Sequence, residues 1–352
     1  MKLSIDDLLQ DAQQRKASDL HLTVGISPKC RIHGDLIDMG YNPLTPEDAE
    51  EIIMPIVPQR LKEVLQTVGE VDFSYAIPNV GRYRVNVFKQ RGSYALVIRI
   101  INTTIPKPEV LGIPLSVVEL TKKKRGLVLV TGPTGSGKST TLASLLDIIN
   151  TYYNCHIITL EDPIEYLHKH KKSVVNQREI GTDTLSFSNA LRVVLREDPD
   201  IILVGEMRDF ETIEIAITAA ETGHLVFSTL HTIGAVSTID RIIDVFPPHQ
   251  QQQVRVQLAS VLEGVVSQQL IPTIDGKSRV AAFEVMLPNA AIRNLVREGK
   301  NHQIASFIQT NKKMGMQTMD DAIFDLFLKG IIDREQVLAF AQDAMSMEKK
   351  LY

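Results

Sequence analysis

The chain has 352 residues, 44% of them hydrophobic and 23% charged, the balance of a soluble globular protein long enough for two cores. Its formal net charge of −4 excludes a whole-protein field that would draw it to nucleic acid or anionic lipid. The two cysteines, Cys30 and Cys155, lie far apart and in no metal-ligand spacing, which predicts reduced thiols of a cytosolic protein.

Leu3, Ile5, Leu8, Leu9 and Ala12 recur at helical spacing in the opening segment, and Asp6, Asp7 and Asp11 exclude the apolar core of a signal peptide. No run approaches ~18 apolar residues, so no spanning helix is expected. "DLHLTVG" and "KCRIHGDLIDM" read as strands with a turn at Gly25–Pro28, followed by two helices, the first with Thr45 as N-cap and Pro46 behind it. "GRYRVNVFKQ" and "YALVIRI" alternate as strands. In the first, Tyr83, Val85 and Val87 share one face, and Arg82, Arg84 and Asn86 the other. An outward arginine pair is either a solvated face or a source of positive charge for a neighbouring subunit's phosphate, an effect of roughly 10³–10⁵ in rate. Pro106, Pro108, Gly112 and Pro114 mark 103–117 as a linker between a domain at 1–102 and one at 118–352.

Beyond it, strands and helices alternate: "GLVLVTG", a helix from Lys138, "CHIITLED", "IILVGE", a helix near 210–222, and "HLVFSTLH". That order predicts an α/β domain with a parallel sheet covered on both faces. From about Pro247 the chain is expected to turn helical, with "QQQVRVQLASVLEGVVSQQL" as the longest periodic stretch.

"GPTGSGKST" fits G-x-x-x-x-G-K-[ST] between an apolar strand and a helix. Gly132, Gly135 and Gly137 let backbone N–H groups of Gly132, Pro133, Thr134, Gly135, Ser136, Gly137, Lys138, Ser139 and Thr140 curl around phosphates (Pro133 shaping the turn without a donor), and the helix N-terminus adds positive charge. Lys138 is assigned to the β and γ phosphates of ATP and Ser139 to Mg²⁺. Carboxylates at the ends of the next strands, Glu161 and Glu206 with Asp162 and Glu165 nearby, point to the same place, since ligands of an open parallel sheet sit beyond its carboxyl ends. His224 and His231 flank a strand, and one of them is expected to sense the γ-phosphate; their separation does not suit a shared metal. A nucleic-acid motor is the alternative of another class, with "KKKR" at 122–125 as the one dense basic run, and no basic stretch interleaved with aromatics. A non-catalytic interaction subunit conflicts with intact Lys138, Ser139, Glu161 and Glu206.

"GPTGSGKSTT", "ITLEDPIEY", "REDPDIILVGEMRD" and "TAAETGHLVFSTLHT" resemble, in order and spacing, the Walker A, Asp box, Walker B and His box of the secretion-superfamily ATPases, RecA-like hexameric motors of type II secretion and type IV pili. "SDLHLTVGISPKCRIHGDL" resembles the PAS-like N-terminal domain of the pilus branch. "AIRNLVREGK" and "GMQTMDDAI" resemble C-terminal segments of its retraction ATPases, whereas assembly and secretion relatives carry a tetracysteine insert that two distant cysteines exclude.

The resemblance implies a RecA-like P-loop motor domain, a smaller α+β PAS-like N-terminal domain and a helical C-terminal region. It implies Glu206 as the magnesium-side acid, Glu161 as the base on a strand beside the P-loop strand, and His224, Arg82 and Arg84 as further catalytic groups, the arginines acting in trans. It also implies a homohexamer that hydrolyses ATP with Mg²⁺ to retract pili. Its expected partners are the inner-membrane platform protein, pilin indirectly and a paralogous pilus ATPase, but no nucleic acid. Its expected place is cytoplasmic, peripheral at the inner membrane, with movement about the 103–117 segment. For Ala291–Lys300 the expectation is a coupling role; simple packing would instead bury Ile292 and Leu295 and leave Arg293 and Arg297 solvated.

Overall fold

The computed structural model describes residues 3–32, 34–78, 80–101 and 104–351. The expected domain boundary between residues 102 and 103 lies outside these. The chain divides into two compact units, Met1–Thr104 with Glu165–Leu167, and Ile105–Ile164 with His168–Tyr352.

The described residues of the first unit form strands β1 (Asp19–Leu22), β2 (Lys29–Ile32), β3 (Asp35–Asp38), β4 (Glu70–Ile77), β5 (Gly81–Gln90) and β6 (Ser93–Ile100), in the order β3-β2-β1-β6-β5-β4 and antiparallel throughout. The segment 29–38, expected as one strand, is a hairpin, and β4 is an addition to the expected set. Helix Ile5–Gln14 is closed by a reciprocal Ser4–Asp7 capping box, and helix Pro46–Ile53 by one between Thr45 and Asp48. Leu8, Leu9, Ile53 and Leu65 from the helices pack on Tyr83, Val85, Val87, Leu96 and Ile98 from the sheet. The alternation of β5 leaves Arg84 exposed, directly across from Arg99, which is tied to Asp19 at 3.1 Å.

In the second unit the described strands are β7 (Gly126–Thr131), β8 (His156–Glu161), β9 (Val174–Glu179), β10 (Ile201–Val204), β11 (Leu225–Leu230), β12 (Leu262–Pro272) and β13 (Arg279–Met286), in the order β13-β12-β7-β11-β10-β8-β9. All neighbours are parallel except the antiparallel pair β12–β13. β7, β10 and β11 are buried along their whole length, as strands covered on both faces must be. Leu127, Leu129, Ile158 and Val226 pack with Ile217, Ile239 and Leu258 of helices on one face. Val128, Val130, Ile157 and Phe227 pack with Leu142, Leu145 and Ile149 of helix Lys138–Tyr152 on the other.

Two expectations are corrected here. The helix that begins at Pro248 stops at Val261, and the following "LEGVVSQQLIP" is β12. Its apolar, β-branched start pairs with β7, and the pairing steps from Leu262↔Leu127 to Gly264↔Val128, leaving Glu263 as an extra bulged residue. The region is mainly helical only from Ala290 onward. In addition, the strand carrying Glu161 is not beside the P-loop strand, because β11 and β10 stand between β7 and β8. The 103–117 segment holds the short helix Pro108–Leu111 and most of a second, Leu115–Val118, which runs one residue past it.

Candidate active site

The loop between β7 and helix Lys138–Tyr152 is shaped by three glycines with positive φ, at +138° for Gly132, +79° for Gly135 and +89° for Gly137. Gly132 is also sterically required, since a Cβ there would overlap the carbonyl oxygen of Gln268 on β12. Gly137 faces the same residue, with a would-be Cβ 2.9 Å from Gln268 Nε2. The buried Gln268 side chain accepts from Thr141 Oγ1 at 2.7 Å, so β12 clamps the loop and the first turn of its helix together. Gly137 caps the helix without a side-chain hydrogen bond, which leaves the amide groups of the first turn for an anion.

Lys138 is 9% exposed, and its Nζ donates to Gly132 O at 2.8 Å and Pro133 O at 3.0 Å. The buried Ser136 hydroxyl has no hydrogen-bond partner among the described residues. An orphaned hydroxyl, a buried ammonium and a loop curled by three glycines with positive φ together fit a polyphosphate.

Across the cradle, Gly205 N donates to Leu160 O at 2.7 Å and Thr229 Oγ1 to Gly205 O at 2.5 Å, fixing the exit of β10 between its neighbours. A Cβ on Gly205 would lie 3.0 Å from Leu160 O and 3.4 Å from Glu161 Cα, so the glycine brings the two carboxylate-bearing backbones together. Glu206 Oε2 receives Arg208 Nε at 2.8 Å and faces His231 Nε2 at 3.5 Å. His231 Nδ1 is 3.5 Å from Thr134 Oγ1 of the phosphate loop. Glu206, Arg208 and His231 also line a cavity of about 350 Å³ with Thr229, Thr232 and Arg241, to which the phosphate loop does not contribute. Glu161 Oε1 accepts from Thr159 Oγ1 at 2.6 Å and from Gln177 Nε2 at 3.0 Å, so two neutral donors orient that carboxylate.

The structure thus brings the 132–140 loop, Glu206 and His231 together, with Glu161 beside them at the end of β8. It does not bring His224 there, which corrects that expectation. His224 precedes β11, its carbonyl accepts from Gly126 N at the start of β7, and its Nδ1 is 2.9 Å from Ala219 O. Six strand residues, a span of about 20 Å, separate it from the cradle of its own chain. Arg82 and Arg84 belong to the first unit.

Sequence reasoning passed over Gln268, Ser267, Arg208, Thr159 and Gln177. A signal existed for the first two: "SQQ" is a polar interruption in an apolar strand, and Ser267 and Gln268 are buried. Arg293, expected to be solvated under simple packing, donates to Ala259 O at 2.7 Å, Ser260 O at 3.0 Å and Glu263 Oε1 at 2.9 Å, which caps the end of helix Pro248–Val261.

A profile of the family described as "Type II/IV secretion system protein" matches residues 114–339. A "Type IV pilus retractation ATPase PilT" of Pseudomonas aeruginosa is 50% identical over 95% of this chain and 96% of its own length. A "Twitching motility protein" of Neisseria gonorrhoeae is 48% identical over 91% of this chain and 86% of its own. A crystal structure of the pilus retraction motor PilT with bound ADP superposes with a TM-score of 0.92 at 50% identity, covering 99% of both chains.

Proposed function

This chain belongs to the type II/IV secretion system protein family, and from that premise we propose that it is an ATP-hydrolysing motor that retracts type IV pili and so powers twitching motility. The observation that carries the reading is the similarity over nearly the whole chain to a pilus retraction motor that binds ADP, at a level that includes the phosphate loop and the C-terminal segments.

The residues suit the chemistry. The backbone of Gly132–Thr140 binds the phosphates of ATP, and Lys138, now held by the carbonyls of Gly132 and Pro133, is the cation nearest them. Ser139 and Glu206 would hold Mg²⁺, one hydroxyl and one carboxylate being what this ion takes alongside phosphate oxygens. A bound Mg²⁺ would supply Lewis-acid neutralisation of developing phosphate charge. Glu161, oriented by Thr159 and Gln177, is the acceptor for the proton of the attacking water. His231 takes the sensing role: it lies between the metal-side acid Glu206 and Thr134.

The motor works as a homohexamer in which Arg82 and Arg84 serve a neighbouring subunit. It acts on the membrane platform of the pilus and, through it, on pilin. No helix among the described residues is long and apolar enough to cross a membrane, and a peripheral place on the cytoplasmic side is part of this proposal. The segment Ala291–Lys300 couples turnover to retraction.

The test is replacement of the gene by one encoding Lys138→Ala, together with ATP turnover of the purified variant. Accumulated pili that do not retract, with turnover abolished, are expected. Normal retraction with the variant would overturn the assignment.

A further inference from the structure

One buried carboxylate has no part in the chemistry above. Glu284, in the middle of β13, is 6% exposed and stands directly across from Ser267 of β12. Together they fasten the loop that carries His231. Ser267 Oγ accepts from Gly234 N at 3.0 Å, and Glu284 Oε1 accepts from Ala235 N at 2.7 Å, at the start of helix Ala235–Asp244. That helix has no side-chain cap of its own, so Glu284 supplies from another strand the negative charge its N-terminus attracts.

The second oxygen of the carboxylate turns the other way. Glu284 Oε2 accepts from Met319 N at 3.4 Å, at the start of helix Met319–Leu328, and the nearby Gln342 side chain favours the charged form of the same carboxylate. Gln342 Nε2 also borders Gly234, 3.5 Å from where a Cβ would stand. The strand pair Val285–Gln317, at 2.9 and 3.1 Å, and the bond from Gln317 Nε2 to Phe283 O at 2.7 Å lay "GMQTMDDAI" along β13 on either side of this contact. Burial pushes the Glu284 carboxyl up from the usual range, as expected of an acid paired with amides and not with a cation.

A carboxylate has two oxygens, and here each holds the N-terminus of a different helix. A shift of the His231 loop therefore has to carry the carboxylate along, or break a buried charge-assisted bond at one of the two ends. We propose that Glu284 is a positioning residue that couples the His231 loop to helix Met319–Leu328, so that the C-terminal helices register which nucleotide occupies the phosphate site. The proposal rests on the reading of His231 as the group facing the γ-phosphate.

Amide hydrogen exchange of the full-length protein, with ADP or with ATPγS, tests it. In the wild type, exchange at 231–235 and at 319–328 should both differ between the two nucleotides. In Glu284→Gln, which offers a single acceptor oxygen, the difference at 231–235 should persist and that at 319–328 should fall about fivefold or more. Binding of ADP should stay within about twofold, because the phosphate loop is held independently by Gln268. Gln342→Ala, at an exposed position, should weaken the response of 319–328 in the same direction and decides the matter should the buried substitution prevent folding. A wild-type response confined to 231–235, or variants whose 319–328 response is undiminished, overturns the coupling. A phosphate loop protected by nucleotide with no wild-type response at 231–235 refutes the His231 reading, and the coupling with it.

Discussion

His231 Nε2 stands 3.5 Å from Glu206 Oε2, while the same ring's Nδ1 stands 3.5 Å from the Thr134 hydroxyl, so one imidazole spans Glu206 and the phosphate loop. His224, seven residues earlier, makes its contacts with Ala219 and Thr222 at the opposite end of β11. His231→Ala is therefore expected to lower kcat for ATP roughly 10²-fold with little change in ADP affinity, and His224→Ala to leave kcat within about twofold. Steady-state turnover of the two purified variants checks this, and equal losses would remove the distinction.

Gly205 is fixed by space and not by its backbone angles. In Gly205→Ala the new methyl would press on Leu160 O, the acceptor of residue 205's own amide, and on Glu161 Cα. The expected cost is about 1–3 kcal/mol of stability, with kcat reduced further because Glu161 and Glu206 are forced apart. Thermal melting and turnover, measured together, would show a lowered Tm and a larger fall in rate than in nucleotide affinity.

His168 is half-buried, with an Nδ1 shut off from solvent and without a hydrogen-bond partner among the described residues. Burial lowers its pKa from 6.5 to about 4, Lys171 adds to the effect, and Asp147 opposes it. The unfolded chain then binds a proton that the folded chain refuses, so the stability His168 contributes is present above pH 6.5 and is lost as pH falls through about 4. Chemical denaturation across that window should show a loss on the order of 1–3 kcal/mol in the wild type that is smaller in His168→Gln. An identical pH dependence in both proteins would contradict this.

Arg82 and Arg84 share the polar face of β5, with Tyr83 and Val85 buried behind them. If they serve a neighbouring subunit, mixtures of Arg82→Ala and Lys138→Ala chains should recover ATPase activity that neither variant has alone. Activity of the mixture no higher than the sum of its parts would rule out action in trans.

The parts of this molecule that were legible in its sequence are those written in consecutive residues. The Gly132–Thr140 loop, the buried runs of β7, β10 and β11 and the alternation of β5 each follow from local periodicity or backbone demand. The position of Glu161 relative to the P-loop was not legible in that way, because strand order depends on long-range pairing that no local pattern encodes. The same holds for Gln268, which reaches Thr141 from 127 positions away. The helical period of "QQQVRVQLASV" runs to Val261 and hides β12 behind it, and the change to strand is marked only by Gly264 and the adjoining valines. His224 and His231 could not be separated by type or neighbourhood; the direction of β11 through the sheet separates them.

The bulge at Glu263 settles the parity of β12. Side chains alternate along a strand, so every residue after the extra one points to the face opposite the one it would otherwise take. Without Glu263, Ser267 and Gln268 would trade sides, and the hydroxyl that meets Gly234 and the amide that meets Thr141 would both face the wrong neighbours. Glu263 is gripped by Arg293 at 2.9 Å and Lys123 at 2.8 Å, with its carboxylate 18% exposed. Arg293, in the segment Ala291–Lys300, thus grips the one inserted residue on which depends whether Gln268 or Ser267 meets the helix behind the phosphate loop.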